Sequence, residues 1–440
     1  MAISPPPSQA GLALLAIVSI QATAQTIVFK NFTLIDGTGR PVRPGVAMLV
    51  RDGQIRSIRP AAKVRKPRRA GVIDLAGKIV MPGLINLHGH VGATVDLAQG
   101  PRFYTRTNVK RNLATYASYG VTAVLSLGTD LDPIYSVREE ERAGAKPGMA
   151  RVYTAGMGFV GKGAFPAAGG MRYEVSTVAE CNKRVDELAA KQVDIVKIWV
   201  DDHFGRGRKT PIELSRAIIA RAHKHGLRVA VHIVNLSDAK ELIAAGADVL
   251  AHSVRDQPVD QELIGMMKKR HVWQIATLTR EISTYIYAER PKFLDEPFFT
   301  RGVSASVIET LKSRPYIDRL KADPDFPRYP NLLVMAKQNL KRLADAGVKI
   351  GFGTDSGPPA RFPGYFEQWE LELMVEAGLT PMQVITAATK SSAQFLGARE
   401  LGTLARGKQA DFLVLSKNPL DDIRNTRSIE SVYIAGNLVK

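Results

Sequence analysis

With 440 residues, 45% of them hydrophobic, and one cysteine, the chain can bury a large α/β core with a satellite, or two to three domains. This composition excludes a disordered polymer, and the lone Cys181 excludes an intramolecular disulfide framework. Lys and Arg number 60 against 42 Asp and Glu, a formal charge of +18, but no nucleic-acid motif accompanies it, and the densest basic run (KVRKPRR, 63–69) has no interleaved aromatics, so the charge reads as solvated surface with no nucleic-acid partner.

Residues 1–24 read as an export signal. The apolar core GLALLAIVSI (11–20) is shorter than the about 20 residues a bilayer span requires. Ala22-Thr23-Ala24 fits the small-x-small cleavage pattern and would leave Gln25 first, although the preceding MAISPPPSQA lacks Lys and Arg. The expectation is an exported protein, periplasmic or extracellular, with no stable membrane span.

Residues 26–35, 46–51 and 54–58 read as short strands separated by the turn dipeptides Asp36-Gly37 and Asp52-Gly53. From Met81 onward apolar segments alternate with helical ones, the pattern of a parallel sheet with crossover helices. Eight strands are expected at 83–87, 121–127, 152–157, 195–200, 228–233, 249–253, 272–278 and 349–354, which suits a closed (β/α)8 TIM-like barrel over 81–405. Thr210-Pro211-Ile212-Glu213 and Thr380-Pro381-Met382-Gln383 read as capping boxes, and Gly226, Gly246 and Gly347 as helix ends. The glycine-rich 156–170 segment has no phosphate-loop spacing and reads as a flexible wall of the site. The long connection 279–329, rich in aromatics, is expected to be partly helical and to lie over the barrel mouth as a lid, most of its aromatics forming its own packing. Residues 408–415 and 431–439 return to strand character, so 25–80 and 406–440 are expected to form one small discontinuous β-sandwich.

Function in such a barrel belongs at the C-terminal strand ends. There stand His88 and His90 on the first strand, Lys197 on the fourth, His232 on the fifth, His252 on the sixth and Asp355 on the eighth. In an extended strand His88 and His90, two residues apart, share a side. Each of these residues alone has a structural reading as a satisfied polar group. Together, imidazoles and a carboxylate facing one mouth are the donor set of a divalent cation. Beside them a lysine ammonium makes sense only if its charge is removed; carboxylation by carbon dioxide would turn Lys197 into a carbamate able to bridge two metals.

The ordered set PGLINLHGH, VKIWV, AVHIV, LAHS, FGTDS and GKQADFLVL resembles the amidohydrolase superfamily, closest to its imidazolonepropionase-like and prolidase-like metal-dependent hydrolases. The resemblance covers nearly the whole chain after the signal. It implies a distorted barrel with a β-sandwich from both termini, and two divalent metal ions, usually zinc. His88, His90 and Asp355 would bind the more buried ion and His232 and His252 the more exposed one, with carboxylated Lys197 and a hydroxide as bridges. Asp355 would be the catalytic residue, general base and then general acid. Many relatives carry a second histidine two residues beyond the fifth-strand ligand; here that position is Val234.

The loop after the fourth strand, DDHFGRGRK (201–209), brings His203, Arg206 and Arg208 near the expected mouth, where they would suit a substrate carboxylate. The expected activity is hydrolysis of an amide in a small molecule, a dipeptide (Xaa-Pro or related) or an N-acyl amino acid. The alternatives are a cyclic amide, ester or lactone on the same centre, or a basic binding protein that has lost catalysis. The pattern is compatible with a homo-oligomer.

Overall fold

The computed structural model describes residues 26–64, 67–144 and 148–439. The expected export signal and two residues of the basic run, Arg65 and Lys66, lie outside them. Among the described residues no helix is long and apolar enough to cross a membrane.

The barrel strands are β1 (Leu84–Gly89), β2 (Val121–Ser126), β3 (Arg151–Thr154), β4 (Val196–Trp199), β5 (Val229–His232), β6 (Val249–Ala251), β7 (Trp273–Ile275) and β8 (Lys349–Gly351). They run parallel in two arcs, β1 to β3 and β4 to β8. Leu87 N donates to Phe352 O (2.8 Å) and His90 N to Ser356 O (2.7 Å), closing β1 onto the end of β8. Between β3 and β4 the ring is distorted, and Asp194 N to Thr154 O (2.8 Å) spans the gap. This is the α/β barrel architecture that the strand–helix alternation implies.

The glycine-rich stretch is not a flexible wall throughout. Gly158–Gly161 is a strand paired with Arg172–Val175 and, at Phe159, with Ile198 of β4. A Cβ at Gly158 would lie 2.3 Å from the Trp199 ring, so this glycine serves close approach rather than freedom.

Alternation along the strands sorts the side chains into two layers. Val196, Ile198, Val229 and Val231 face outward into the core shared with the helices Val178–Ala190 and Ile212–Lys224. Ile85, Leu87, Ala230, Val249, Ala251 and Ile275 line the interior, whose floor is closed by Phe395 against Trp273 (ring centroids 5.4 Å apart).

Thr380 forms the expected capping box with Gln383. Thr210 does not cap its helix, whose N-cap is Pro211. The Thr210 hydroxyl instead donates to Trp199 O (2.7 Å) and accepts from Gly161 N (2.9 Å), because two unpaired backbone groups at strand ends compete for it.

Between β7 and β8 the insertion folds as short helices around Tyr287, Phe293, Leu294, Phe299 and Leu311. Phe293 and Phe299 pack on Tyr365 (5.2 and 4.9 Å between centroids), and Tyr287 OH donates to Ala360 O (2.6 Å). Its aromatics thus anchor it to the segment after β8.

Strands from both termini form one mixed eight-stranded sheet, ordered Asn437–Leu438, Ile429–Ile434, Phe412–Leu415, Ile79–Pro82, Thr26–Leu34, Arg43–Arg51, Gln54–Pro60, with Gly71–Asp74 also beside Thr26–Leu34. Phe29 and Tyr433 stand three strands apart in that order yet their rings are 5.0 Å apart. A flat sheet would separate them by about 14 Å, so the sheet curls on itself around Phe29, Phe32, Met48, Phe412 and Val414.

Candidate metal centre

Two local departures from regular strand geometry build the mouth. Asn86 pairs with Val124 and Gly89 with Ser126, so three steps on β1 face two on β2, a bulge. Leu87 can therefore line the interior while His88 and His90, past the bulge, also turn inward. On β6, Ala251 faces the interior and alternation would send His252 outward, but His252 has φ 80°, which reverses it. Asp355 (φ 58°), Thr129 (φ 66°) and Thr277 (φ 52°) share this left-handed conformation. Non-glycine residues rarely adopt it, and such strain concentrates at functional sites.

His88, His252 and Asp355 offer ligand atoms within 4.8 Å of one another. His90 Nε2 lies 2.9 Å and His88 Nε2 3.5 Å from Asp355 Oδ1. The rings of His88 and His252 are 4.8 Å apart, and those of His232 and His252 4.3 Å. His88, Lys197 and His252 are almost wholly buried.

The hydrogen-bond network assigns tautomers. Thr129 donates its hydroxyl to Gly128 O (2.5 Å) and Thr277 to Ala276 O (2.7 Å). Each threonine oxygen can then accept from a histidine Nδ1, that of His90 (3.1 Å) or that of His252 (2.7 Å). Both Nε2 atoms are left with lone pairs, and for His90 that lone pair faces a carboxylate oxygen. Such an approach is repulsive without a cation between the two atoms. His232 differs, its Nε2 lying 3.0 Å from Asp201 Oδ2, which leaves Nδ1 as the free lone pair.

Electrostatics agree. Burial holds His88 and His252 well below the usual imidazole range and His232 at about 4, so all three are neutral donors. Burial alone would raise Asp355, but the Arg361 guanidinium beside it holds it well below the usual carboxylate range. Lys197 Nζ is buried with no hydrogen-bond partner, and burial pulls its pKa to about 7 against the opposing charge of Asp355. An orphaned amine and converging imidazole lone pairs fit a divalent metal site.

In the loop after β4 the three residues expected to meet a substrate carboxylate have these surroundings. His203 stacks on Phe165 (4.6 Å) and bonds Arg206 (2.7 Å), Arg206 pairs with Asp325, and Arg208 is exposed. Three neighbours of the cluster were not singled out from the sequence. Asp201 holds His232; its position next to β4 was the available signal. Arg361 Nη1 lies 2.5 Å from Asp355 Oδ2, with no motif marking it. Buried Glu367 accepts from Asn86 (2.7 Å), Thr354 (2.5 Å) and Ser356 (2.6 Å), joining the ends of β1 and β8.

The chain is similar in sequence and fold to known proteins. The chain is 25% identical over 476 residues to ochratoxinase of Aspergillus niger, covering 97% of this chain and 89% of that protein. It is 25% identical over 432 residues to imidazolonepropionase of Deinococcus radiodurans, covering 89% and 91%. A crystal structure of a Xaa-Pro dipeptidase with bound methionine superposes with a TM-score of 0.74 at 22% identity, over 94% of this chain and 99% of that one, a likeness of fold. The amidohydrolase family's model matches residues 79–439, the whole of the described barrel and the C-terminal strands, and the chain belongs to the amidohydrolase family.

Proposed function

We propose that this family member, a metal-dependent amide hydrolase, acts on a dipeptide (Xaa-Pro or related) or an N-acyl amino acid at a two-metal centre, zinc being the expected ion. The observation that carries the reading is the clustering of His88, His90, His232, His252 and Asp355, with the buried, unpartnered amine of Lys197 near enough to lower the proton affinity of His88, His232 and His252. His88, His90 and Asp355 would hold one ion and His232 and His252 the other. Lys197, as a carbamate formed with carbon dioxide, would serve both. Bound ions would supply Lewis-acid polarisation of the scissile carbonyl and a water acidic enough to attack near neutral pH.

The remaining work falls to the chain itself. Asp355 would take a proton from the attacking water and return it to the leaving nitrogen. Thr129 and Thr277 hold His90 and His252 in the tautomers that present Nε2. Asp201 orients His232, as a carboxylate behind a ligand histidine does. Export, read from residues 1–24, is part of the same proposal.

Elemental analysis after metal-supplemented expression, paired with a panel of dipeptides, N-acyl amino acids, esters and lactones, tests the reading. The expected result is about two divalent ions per chain, as two-metal catalysis requires, with turnover of amides. Less than one ion per chain favours a binding protein, and turnover of lactones or esters alone overturns the amide assignment. Lys197→Ala should lower metal content and turnover together, with partial recovery in formate; full activity in that variant removes the carbamate from the proposal.

A further inference from the structure

One stretch of the terminal sheet carries basic charge without acid. Between Asp52 and Asp74 the chain has seven Lys and Arg and no Asp or Glu, so neighbours in sequence cannot neutralise it. Part of this charge gathers around a groove of about 640 Å³. The exposed Arg56, Arg59, Lys63 and Arg406 line it together with the half-buried Leu49 and Ile58, and no carboxylate is among its lining residues.

Local structure accounts for the gathering. Gln54–Pro60 is the edge strand of the sheet, and Arg56 falls in its bulge, between the pairs Leu49–Ser57 and Val50–Ile55. Ile55 N donates to Lys408 O and Gly407 N to Ile55 O (both 2.8 Å), which brings Arg406 to the same edge. Ala61, Val64 and Ala70 pack on Val28 and Ala47, so the short helix Ala61–Lys63 holds Lys63 near that side. Val28 pairs with both Leu49 and Val72, and Ala47 with Arg59. Cross-strand partners share a face, and alternate residues of a strand do too. Val72, Leu49 and Arg59 therefore stand on the outer face, opposite Phe29 and Met48 in the sheet's core. Val72 is 41% exposed, one of five large apolar side chains so exposed among the described residues. Asp74, at the end of the same strand, is occupied by Lys30 (3.2 Å) and Asn31 (2.9 Å).

We infer that this outer face docks the protein on a bilayer containing anionic phospholipid. The four cations meet headgroup phosphates, while Val72 and the aliphatic side chains of the groove meet the bilayer interface. On this face the basic charge is thus a contact surface rather than only a solvated one, independently of amide hydrolysis and of export. Exposed cations suit headgroups, which impose no fixed geometry, and each adds about a factor of five in partition, so four add about 600-fold. A nucleic acid strand would stack its bases on aromatic rings; none lines the groove, and an exposed valine would gain nothing from it.

The test is cosedimentation of the full chain with vesicles of phosphatidylcholine alone and with about 30% phosphatidylglycerol, at about 0.1 M and about 0.5 M salt. Residues 1–24 are the same in every variant, so the readout is the ratio of binding to anionic over neutral vesicles. The expected wild-type ratio is about 100-fold or more at the lower salt and falls at the higher. Arg56→Glu, Arg59→Glu, Lys63→Glu and Arg406→Glu together should bring it below about fivefold. Lys183→Glu, Lys224→Glu, Lys269→Glu and Lys321→Glu, at exposed lysines on helices outside the terminal sheet, change the net charge equally and should leave the ratio within about threefold of the wild type. Glutamine at the four groove positions should give an intermediate loss, and it serves as the second variant if the glutamate set does not fold. A wild-type ratio under about threefold, or equal losses in the groove and control sets, overturns the inference. So does groove-dependent binding of a double-stranded oligonucleotide that is tighter than binding of the anionic vesicles.

Discussion

Asp130, just past β2, shows how tightly the mouth is wired at the scale of single residues. It is 1% exposed and accepts from Ser126 (2.5 Å), Thr154 (2.6 Å) and Tyr104 (3.3 Å). Burial outweighs these bonds and pushes its pKa up to about 7. An unfolded aspartate ionises near pH 3.9, as a rough reference, while the folded one stays protonated to about 7, so stability is full at low pH and falls as pH rises across that window, by on the order of 4 kcal/mol. Asp130→Asn should lose that much less stability between pH 4 and pH 8 in urea unfolding; equal losses in the two proteins would mean that Asp130 is already ionised when folded. The types of the proposed ligand residues were legible in the sequence, because histidine, lysine and aspartate at strand ends have few other reasons to gather. Arg361 was not, because an arginine in a loop carries no signal of where its guanidinium points. Asp201 lay in view among the cations that drew attention to its loop.

At the scale of elements, two threonines with similar sequence context do different things. Thr177 caps the helix Val178–Ala190 in a reciprocal box with Glu180, which accepts in turn from the backbone of Ser176 and Thr177. Thr210 precedes a helix with the same cues and instead joins Gly158–Gly161 to the end of β4. Thr177→Ala should cost about 1 kcal/mol, the usual loss of an exposed cap. Thr210→Val should cost about 2 kcal/mol, since it leaves a buried N–H without its acceptor. Urea unfolding of the two variants checks the order, and a smaller loss for Thr210→Val would return it to a capping role. Capping patterns name a partner within three residues in sequence, and they are blind to a strand that reaches the same hydroxyl from elsewhere.

For the whole molecule, the terminal sheet and the barrel are held together by Arg151 at the start of β3. Its Nε donates to Asp411 Oδ2 (2.9 Å) and its Nη1 to Glu141 (2.7 Å), and Asp411 accepts also from Ala435 N (2.6 Å). Asp411→Ala leaves a largely buried guanidinium short of a partner and should cost about 3 kcal/mol. Thermal and urea unfolding should show this as a lower midpoint, and an unchanged midpoint would make the contact incidental. The sequence by itself determined the eight strand segments, the return of the chain end to strand character and the identities of the clustered strand-end residues proposed as ligands, because alternation, turn dipeptides and rare residue types are local properties. Tertiary structure alone decided which way those ligands point. The β1 bulge that turns His88 inward exists only against β2, and the left-handed backbone at His252 and Asp355 only within a closed ring. The placement of Arg361 against Asp355 depends on the segment after β8, which reaches the cluster only once the barrel has closed.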